Sequence, residues 1–300
     1  MELTGLHILL TYQCNFECDH CFVWGSPWQN GTFSMVQLEN VLTQAKATGT
    51  IESIYFEGGE PFLYYPILVK AVKSANDKGF TVGIVSNGYW AITIEDAEEW
   101  LHPFIGKLQD LSVSSDLFHY DEILSLQAKN ACQAAERLGI PIGTISIAPP
   151  GKDNADPAIG QLPPDESGVM YRGRAAEKLV GKANLHPWRE FVECPYEDLR
   201  EPGRIHLDPL GNLHICQGIS IGNLFDQPLK EICATYEPDQ HPICGPLLSG
   251  GPAELVRNYD LSLEENFADA CHLCYSARIA LRARYNNFLG PDQVYGLYDS

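Results

Sequence analysis

Three hundred residues, 45% of them hydrophobic, suffice for one large domain or for one domain with a small appendage. With 39 acidic against 20 basic side chains the formal charge is −19, which disfavours a nucleic-acid partner, because affinity for phosphates rests on Lys and Arg. The longest apolar runs, such as that around Ile8-Leu9-Leu10, are too short to span a bilayer. Met1-Glu2-Leu3-Thr4 lacks the basic-then-apolar pattern of a signal peptide, so a cytoplasmic protein with no membrane partner is expected.

In chain order, short apolar runs at Leu6–Leu10, Ile51–Phe56, Phe80–Val85, Leu108–Ser114 and Ile140–Ile147 alternate with stretches of helical spacing. Those stretches are Met35–Ala47, Tyr65–Asp77, Ile94–Trp100 and Asp121–Leu138, with Gly79 and Gly139 placed as helix C-caps. Val169–Tyr171 is the candidate sixth strand. Strand–helix alternation of this kind predicts an α/β fold with a parallel sheet covered by helices. Residues 149–168, rich in Pro, Gly and Asp, read as a long loop and a candidate lid. Beyond them the texture changes: Arg204–Asp208, a Pro-Leu-Gly-Asn turn and Leu213–Cys216 predict a β-hairpin. Helical segments follow at Leu229–Tyr236, Leu247–Asn258 and Cys271–Tyr285. A boundary near residue 190 divides the chain into 1–190 and a smaller 191–300.

Ten cysteines in a cytosolic chain point to metal binding or chemistry more than to disulfides. Seven fall into ligand-like spacings: Cys14, Cys18 and Cys21, then Cys194, Cys216, Cys271 and Cys274. Cys132, Cys233 and Cys244 are left over, and small buried residues are their default reading. A loop of Cys-x3-Cys-x2-Cys directly after a strand can set three thiolates on one face of a four-iron cube, leaving one iron open for chemistry. A zinc knuckle with a distant fourth ligand is the alternative, against zinc's usual paired-cysteine spacing.

The order of Cys14, Cys18 and Cys21, then Glu57-Gly-Gly-Glu-Pro61 at the end of the second strand, resembles the radical S-adenosylmethionine (SAM) superfamily. The resemblance implies a partial (β/α)6 TIM-like barrel, a catalytic 4Fe-4S cluster on the three cysteines, and SAM held by Gly58, Gly59 and Glu60. Glycines let a backbone approach closely, and a carboxylate suits an ammonium group. Ser86, Asn87, Ser114 and Asp116, at the carboxyl ends of the third and fourth strands, are candidates for the ribose and carboxylate of SAM, and Arg174 for a planar fork on that carboxylate. Outside this context Ser-Asn-Gly reads as a turn and Asp116 as an N-cap. His20 departs from the aromatic residue common before the third cysteine.

Cys194, Cys216, Cys271 and Cys274 resemble the auxiliary-cluster domain of the SPASM/twitch subgroup, in its shorter one-cluster twitch form; a structural zinc is the alternative for the same four thiolates. By resemblance the enzyme cleaves SAM reductively to a 5′-deoxyadenosyl radical, which removes a substrate hydrogen atom, using a cytosolic one-electron reductant. Peptide-modifying members, epimerases included, share Ser-Asn-Gly-aromatic-Trp and Asp-x-Phe-His elements with this chain. Those epimerases carry a hydrogen-donating cysteine beside the residue matching Cys216, where this sequence has Gln217; Cys233 and Cys244 are the remaining donor candidates. The expected substrate is therefore a peptide or amino-acid-like molecule undergoing oxidation, cross-linking or epimerisation. A small-molecule dehydrogenase and a non-catalytic iron–sulfur or zinc protein are the alternatives.

Overall fold

Parallel strands covered on both faces need nearly continuous apolar runs, and the helices that cover them need an apolar stripe. The first half of the chain supplies these in turn. A computed structural model describes residues 1–150 and 167–297; most of the candidate lid at 149–168 therefore lies outside the described residues. The five runs form β1 (Gly5–Thr11), β2 (Ser53–Gly58), β3 (Thr81–Ser86), β4 (Asp110–Ser114) and β5 (Ile142–Ile145). Between them lie α1 (Met35–Thr48), α2 (Tyr65–Asp77), α3 (Ile94–Leu101) and α4 (Leu126–Leu138).

The helix ends follow local chemistry. Ser34 and Gln37 close a capping box at α1, and Gly139 ends α4 in the left-handed conformation. α4 starts later than Asp121 because Ser125 caps it, accepting from Ala128 N at 3.1 Å. The backbone N–H of Ser125 is itself held by Ser115 Oγ at 2.9 Å, so the chain between β4 and α4 is fixed as turns.

One strand is not where the sequence suggests. Val169–Tyr171 forms no strand; Gly168 makes only an isolated parallel bridge to Ala148. The chain here is drawn instead onto the loop after β1, where Arg174 N donates to Cys21 O at 2.9 Å. The sixth parallel strand is β7 (Arg204–Leu207), which pairs with the free edge of β1 from Gly5↔Arg204 to Ile8↔Leu207. Before it come the single helical turn α5 (Ala175–Lys178) and the two-residue β6 (His186–Pro187).

The hairpin read from sequence is present: β7 runs antiparallel to β8 (Asn212–Cys216), and β8 to β9 (Ile219–Asn223). The sheet order is β5-β4-β3-β2-β1-β7-β8-β9, a mixed α/β fold with a mainly parallel sheet that continues across residue 190. α6 (Leu229–Thr235), α7 (Cys244–Asn258), β10 (Asn266–Phe267) and α8 (Ala270–Leu281) complete the described chain. α7 is kinked where Gly250 and Gly251 leave helical angles before Pro252. β10 pairs with β6.

Two apolar cores result. The larger joins β1–β4 and β7 with α1–α4, around Ile8, Phe56, Phe62 and Trp90. The smaller gathers residues of β8, α7 and α8 with Leu9, Tyr12 and Val23 from the first strand and its loop. Phe56 is fully buried and Val36 is 81% exposed. Phe56→Ala should therefore cost about 3–5 kcal/mol, while Val36→Ala stays within about 0.5 kcal/mol; urea unfolding midpoints measure both.

Candidate active site

The loop after β1 is fixed by close backbone packing. Gly59 N donates to Thr11 O at 2.7 Å and Glu60 N to Gln13 O at 2.9 Å. A Cβ at Gly59 would meet Gln13 O at 2.0 Å, so only glycine lets the ends of β1 and β2 approach this closely. Cys14 N donates to Ser26 O at 3.0 Å, closing the loop behind the thiols. Gly25 N points at Cys21 Sγ (3.2 Å), and Phe16 N at Cys14 Sγ (3.4 Å). Asn87 Nδ2 lies 3.7 Å from the same Cys14 sulfur.

Cys14, Cys18 and Cys21 line one cavity of about 610 Å³, together with Gly58, Gly59, Ser86, Asn87 and Ser114. Side chains from β1 through β5 and from β7 reach it, so the parallel strands turn their inner faces onto one space. Burial, aided by the Glu60 charge, pushes the Cys14 thiol up to about 12, and burial with its neighbouring cysteines pushes Cys18 up as well.

Three residues expected at the cofactor are engaged elsewhere. Glu60 is fully buried, accepting from Phe62 N (3.0 Å), Ser86 Oγ (2.9 Å) and Asn87 N (2.7 Å). Burial raises its carboxyl to about 7 against those hydrogen bonds. Its side chain ties β2 to β3, and the part of the motif that lines the cavity is Glu57–Gly58–Gly59. Asp116 accepts from Phe118 N, His119 N, His119 Nδ1 and Ile147 N, and so holds the turn after β4. Arg174 is 4% exposed and spends its fork on Cys18 O (2.8 Å) and Gly25 O (2.7 Å). It pins the cysteine loop from behind.

His20 lines the cavity and packs against Phe118, centroids 4.4 Å apart and planes tilted by 32°, with its Nδ1 buried and unpartnered. Burial holds its pKa down at about 4, so it is a neutral ring with a free polar atom.

The second cysteine set assembles beside the first. Cys216 ends β8, while Cys271 and Cys274 sit on the first turn and a half of α8, capped by Asp269. Cys216 and Cys194 both act on the ionisation of Cys274, and Cys216 acts on that of Cys271. Burial first, then these neighbours, pushes Cys274 up to about 12. Arg172 connects the two regions: it lines the cavity, and its Nη1 lies 3.4 Å from Cys216 Sγ and 3.2 Å from Glu197 Oε1. Beside Cys216, both polar atoms of the buried Gln217 amide lack a partner, as does Nε of the buried Arg278.

The spare thiols do not line the cavity. Cys233 packs in the larger core beneath the N-terminus, and its carbonyl accepts from Met1 N at 3.0 Å. Cys244 is fully buried in the smaller core, near Cys216, Cys274 and Cys194.

Some features of the site escape a reading by motif. Tyr12, Asp208 and His214 form a buried network behind the loop: Tyr12 OH donates to Asp208 Oδ2 (3.0 Å), which His214 Nε2 also meets at 3.1 Å. His7, Glu57 and His206 meet on the inner face of the sheet. Burial tends to raise the Glu57 carboxyl, but the two imidazoles reverse this and hold it well below the usual carboxylate range. The available signal is a polar side chain inside an otherwise apolar buried strand.

Residues 8–111 match the family model described as the Radical SAM superfamily. A protein named for peptide biosynthesis, YydG of Bacillus subtilis (strain 168), is 27% identical over 204 residues, 64% of each chain. An S-adenosylmethionine-dependent nucleotide dehydratase of Selenomonas ruminantium is 28% identical over 129 residues, 43% of this chain and 44% of the relative. The matches thus span less than two thirds of these relatives' lengths. Among solved structures, Streptococcus suis SuiB bound to precursor peptide SuiA aligns with TM-score 0.45 and 13% identity, covering 90% of this chain and 76% of that one.

Burial tends to raise the Asp208 carboxyl, but hydrogen bonds from His214 and Asn212 outweigh it and hold it below its ordinary value. A lowered carboxylate stabilises the fold above the unfolded pKa, and this contribution is lost as the pH falls through the folded value. Asp208→Asn should cost about 1.5–3 kcal/mol at pH 7, with the gap to wild type narrowing below about pH 4. Urea unfolding across that pH range measures it, and a gap independent of pH would refute the assignment.

Proposed function

We propose that this chain is a radical SAM enzyme whose Cys14, Cys18 and Cys21 hold a four-iron cluster with one iron open to SAM. The observation that carries the reading is three thiols of one loop lining a cavity beside the Gly58–Gly59 backbone. The donor chemistry fits. Among the described residues, the His, Cys, Asp and Glu groups whose ligand atoms close to within 4.8 Å are His7–Glu57–His206 and His20–Asp116–His119, not the cysteines. Four thiolates on one zinc ion stand about 3.8 Å apart, given Zn–S bonds of about 2.3 Å; wider spacing suits a cube. The backbone N–H of Phe16, aimed at Cys14, favours its thiolate form.

A cluster held by Cys14, Cys18 and Cys21 would supply the one-electron reductive cleavage of SAM that starts hydrogen-atom removal from the substrate. The chain's own residues prepare that event. Arg174 and Ser26 keep the cysteine loop closed, and Glu60 aligns the ends of β2 and β3. The Gly58–Gly59 peptides, Asn87 and Ser114 offer polar groups to the amino acid and ribose of SAM, while the Ser86 hydroxyl is taken up by Glu60, Gly88 N and Trp90 Nε1. His20, packed against Phe118 with its ring tilted by 32°, offers a neutral ring and a free nitrogen to the base of SAM. Apolar Phe16, Phe22, Val85, Ile145 and Ile147 line the rest of the cavity and exclude water from the radical.

Cys194, Cys216, Cys271 and Cys274 hold one auxiliary iron–sulfur cluster in a twitch-like unit formed by residues 191–300, with β7 shared with the main sheet. The unpartnered amide of Gln217 and Nε of Arg278 are donors suited to cluster sulfur. The substrate is a peptide or an amino-acid-like molecule, a reading supported by the likeness to a protein named for peptide biosynthesis. Cys233 and Cys244 stand away from the cavity, which favours oxidation or cross-linking over epimerisation.

Anaerobic reconstitution followed by SAM and dithionite should yield 5′-deoxyadenosine, and none from a fully iron-loaded wild type would overturn the enzyme reading. Cys14→Ala should abolish product. Cys216→Ala should lower iron per chain while SAM cleavage persists; unchanged iron in that variant would remove the second cluster from the proposal.

A further inference from the structure

We propose that His7, Glu57 and His206 form a binding site for one divalent transition-metal ion on the wall of the cavity, separate from both cysteine sets. Strand register creates the group. His7 on β1 lies directly opposite His206 on β7 and opposite Tyr55 on β2. Glu57 is two residues beyond Tyr55, so all four side chains share one face. The His7 and Tyr55 rings stack at 4.8 Å with 16° between their planes, which fixes the imidazole.

Glu57 Oε2 lies 3.2 Å from His7 Nδ1, and Oε1 lies 3.1 Å from His206 Nε2. Those separations match the edges of a coordination polyhedron whose metal–ligand bonds are about 2.0–2.2 Å. Oε1 is nevertheless buried without a hydrogen-bond partner. Its near neighbour is His206 Nε2 at 3.1 Å. Rigid strands of one sheet carry all three ligands, so little ordering is needed on binding.

Two imidazoles and one carboxylate select iron(II), cobalt(II), nickel(II) or zinc(II) over magnesium or calcium, which prefer all-oxygen shells. Three protein ligands leave positions open, and all three residues line the space shared with Cys14, Cys18 and Cys21. An ion here would take a carboxylate, imidazole or carbonyl donor of the substrate and hold it in the cavity by coordination. The site depends only on these three side chains and not on what the cysteines bind.

The test uses reconstituted, iron-loaded protein equilibrated with cobalt(II). Wild type should take up one cobalt per chain beyond its iron, and crystals should show a cobalt anomalous peak between His7, Glu57 and His206. Glu57→Gln and His206→Ala should each weaken uptake at least tenfold, with iron content and circular dichroism unchanged. Absence of the peak from wild-type crystals, or equal uptake by a folded Glu57→Gln protein, would overturn the site. Failure of the cluster reading would register separately, as missing iron or as cobalt located at the cysteines.

Discussion

Buried thiols cannot ionise together unless positive charge stands among them. Around Cys14 and Cys18 the protein supplies little: burial and neighbouring acidic groups push both thiols up, and Arg174, the guanidinium that acts on Cys18, has its fork turned onto carbonyls. The loop is thus shaped for thiolates while lacking the charge to sustain them. On the proposed reading the iron centre provides that charge, and the protein contributes geometry. Much of the surrounding architecture serves the same end: the Gly59 approach to Gln13, the capped turn held by Asp116, and the clamp of Arg174.

The second set repeats the pattern with more help. Arg172 and Arg278 both stand near its sulfurs and ease the ionisation of Cys274. Arg172 also reaches the cavity, so one side chain touches both regions. The smaller core includes Tyr12 and Val23 from the first loop alongside Cys216 and Cys274. The two cysteine sets are therefore mechanically joined, although most of the chain between residues 21 and 194 belongs to the larger core.

The strands and most helices were legible because each rests on local pattern. Apolar runs of strand length and capping residues such as Ser34 and Gly139 act within a few residues of themselves. Val169–Tyr171 misled because its composition suits a strand while the neighbouring Arg174 draws that segment to the cysteine loop, a contact between distant parts of the chain. Arg204–Leu207 read correctly as half of a hairpin, yet pattern alone does not reveal its parallel partner. The motif residues also divided by geometry. Gly58, Gly59, Ser86, Asn87 and Ser114 line the cavity, whereas Glu60, Asp116 and Arg174 turn inward, because buried charged groups take the nearest backbone donors and acceptors. His7, Glu57 and His206 carry no linear signature and become a group only through register.

β1 pairs on one edge with residues about fifty positions away and on the other with residues about two hundred away. During synthesis at roughly 5–20 residues per second, the three loop cysteines leave the ribosome on the order of 10–40 s before β7 does. Tyr275, which Trp24 of the loop meets at 2.9 Å, follows later still. Throughout that interval the thiols stand beside an unpaired strand edge, open to oxidation and to stray metal. On the proposed reading, loading of the loop therefore belongs after translation, on a nearly finished chain, and a cell making this protein would gain from keeping the nascent form reduced.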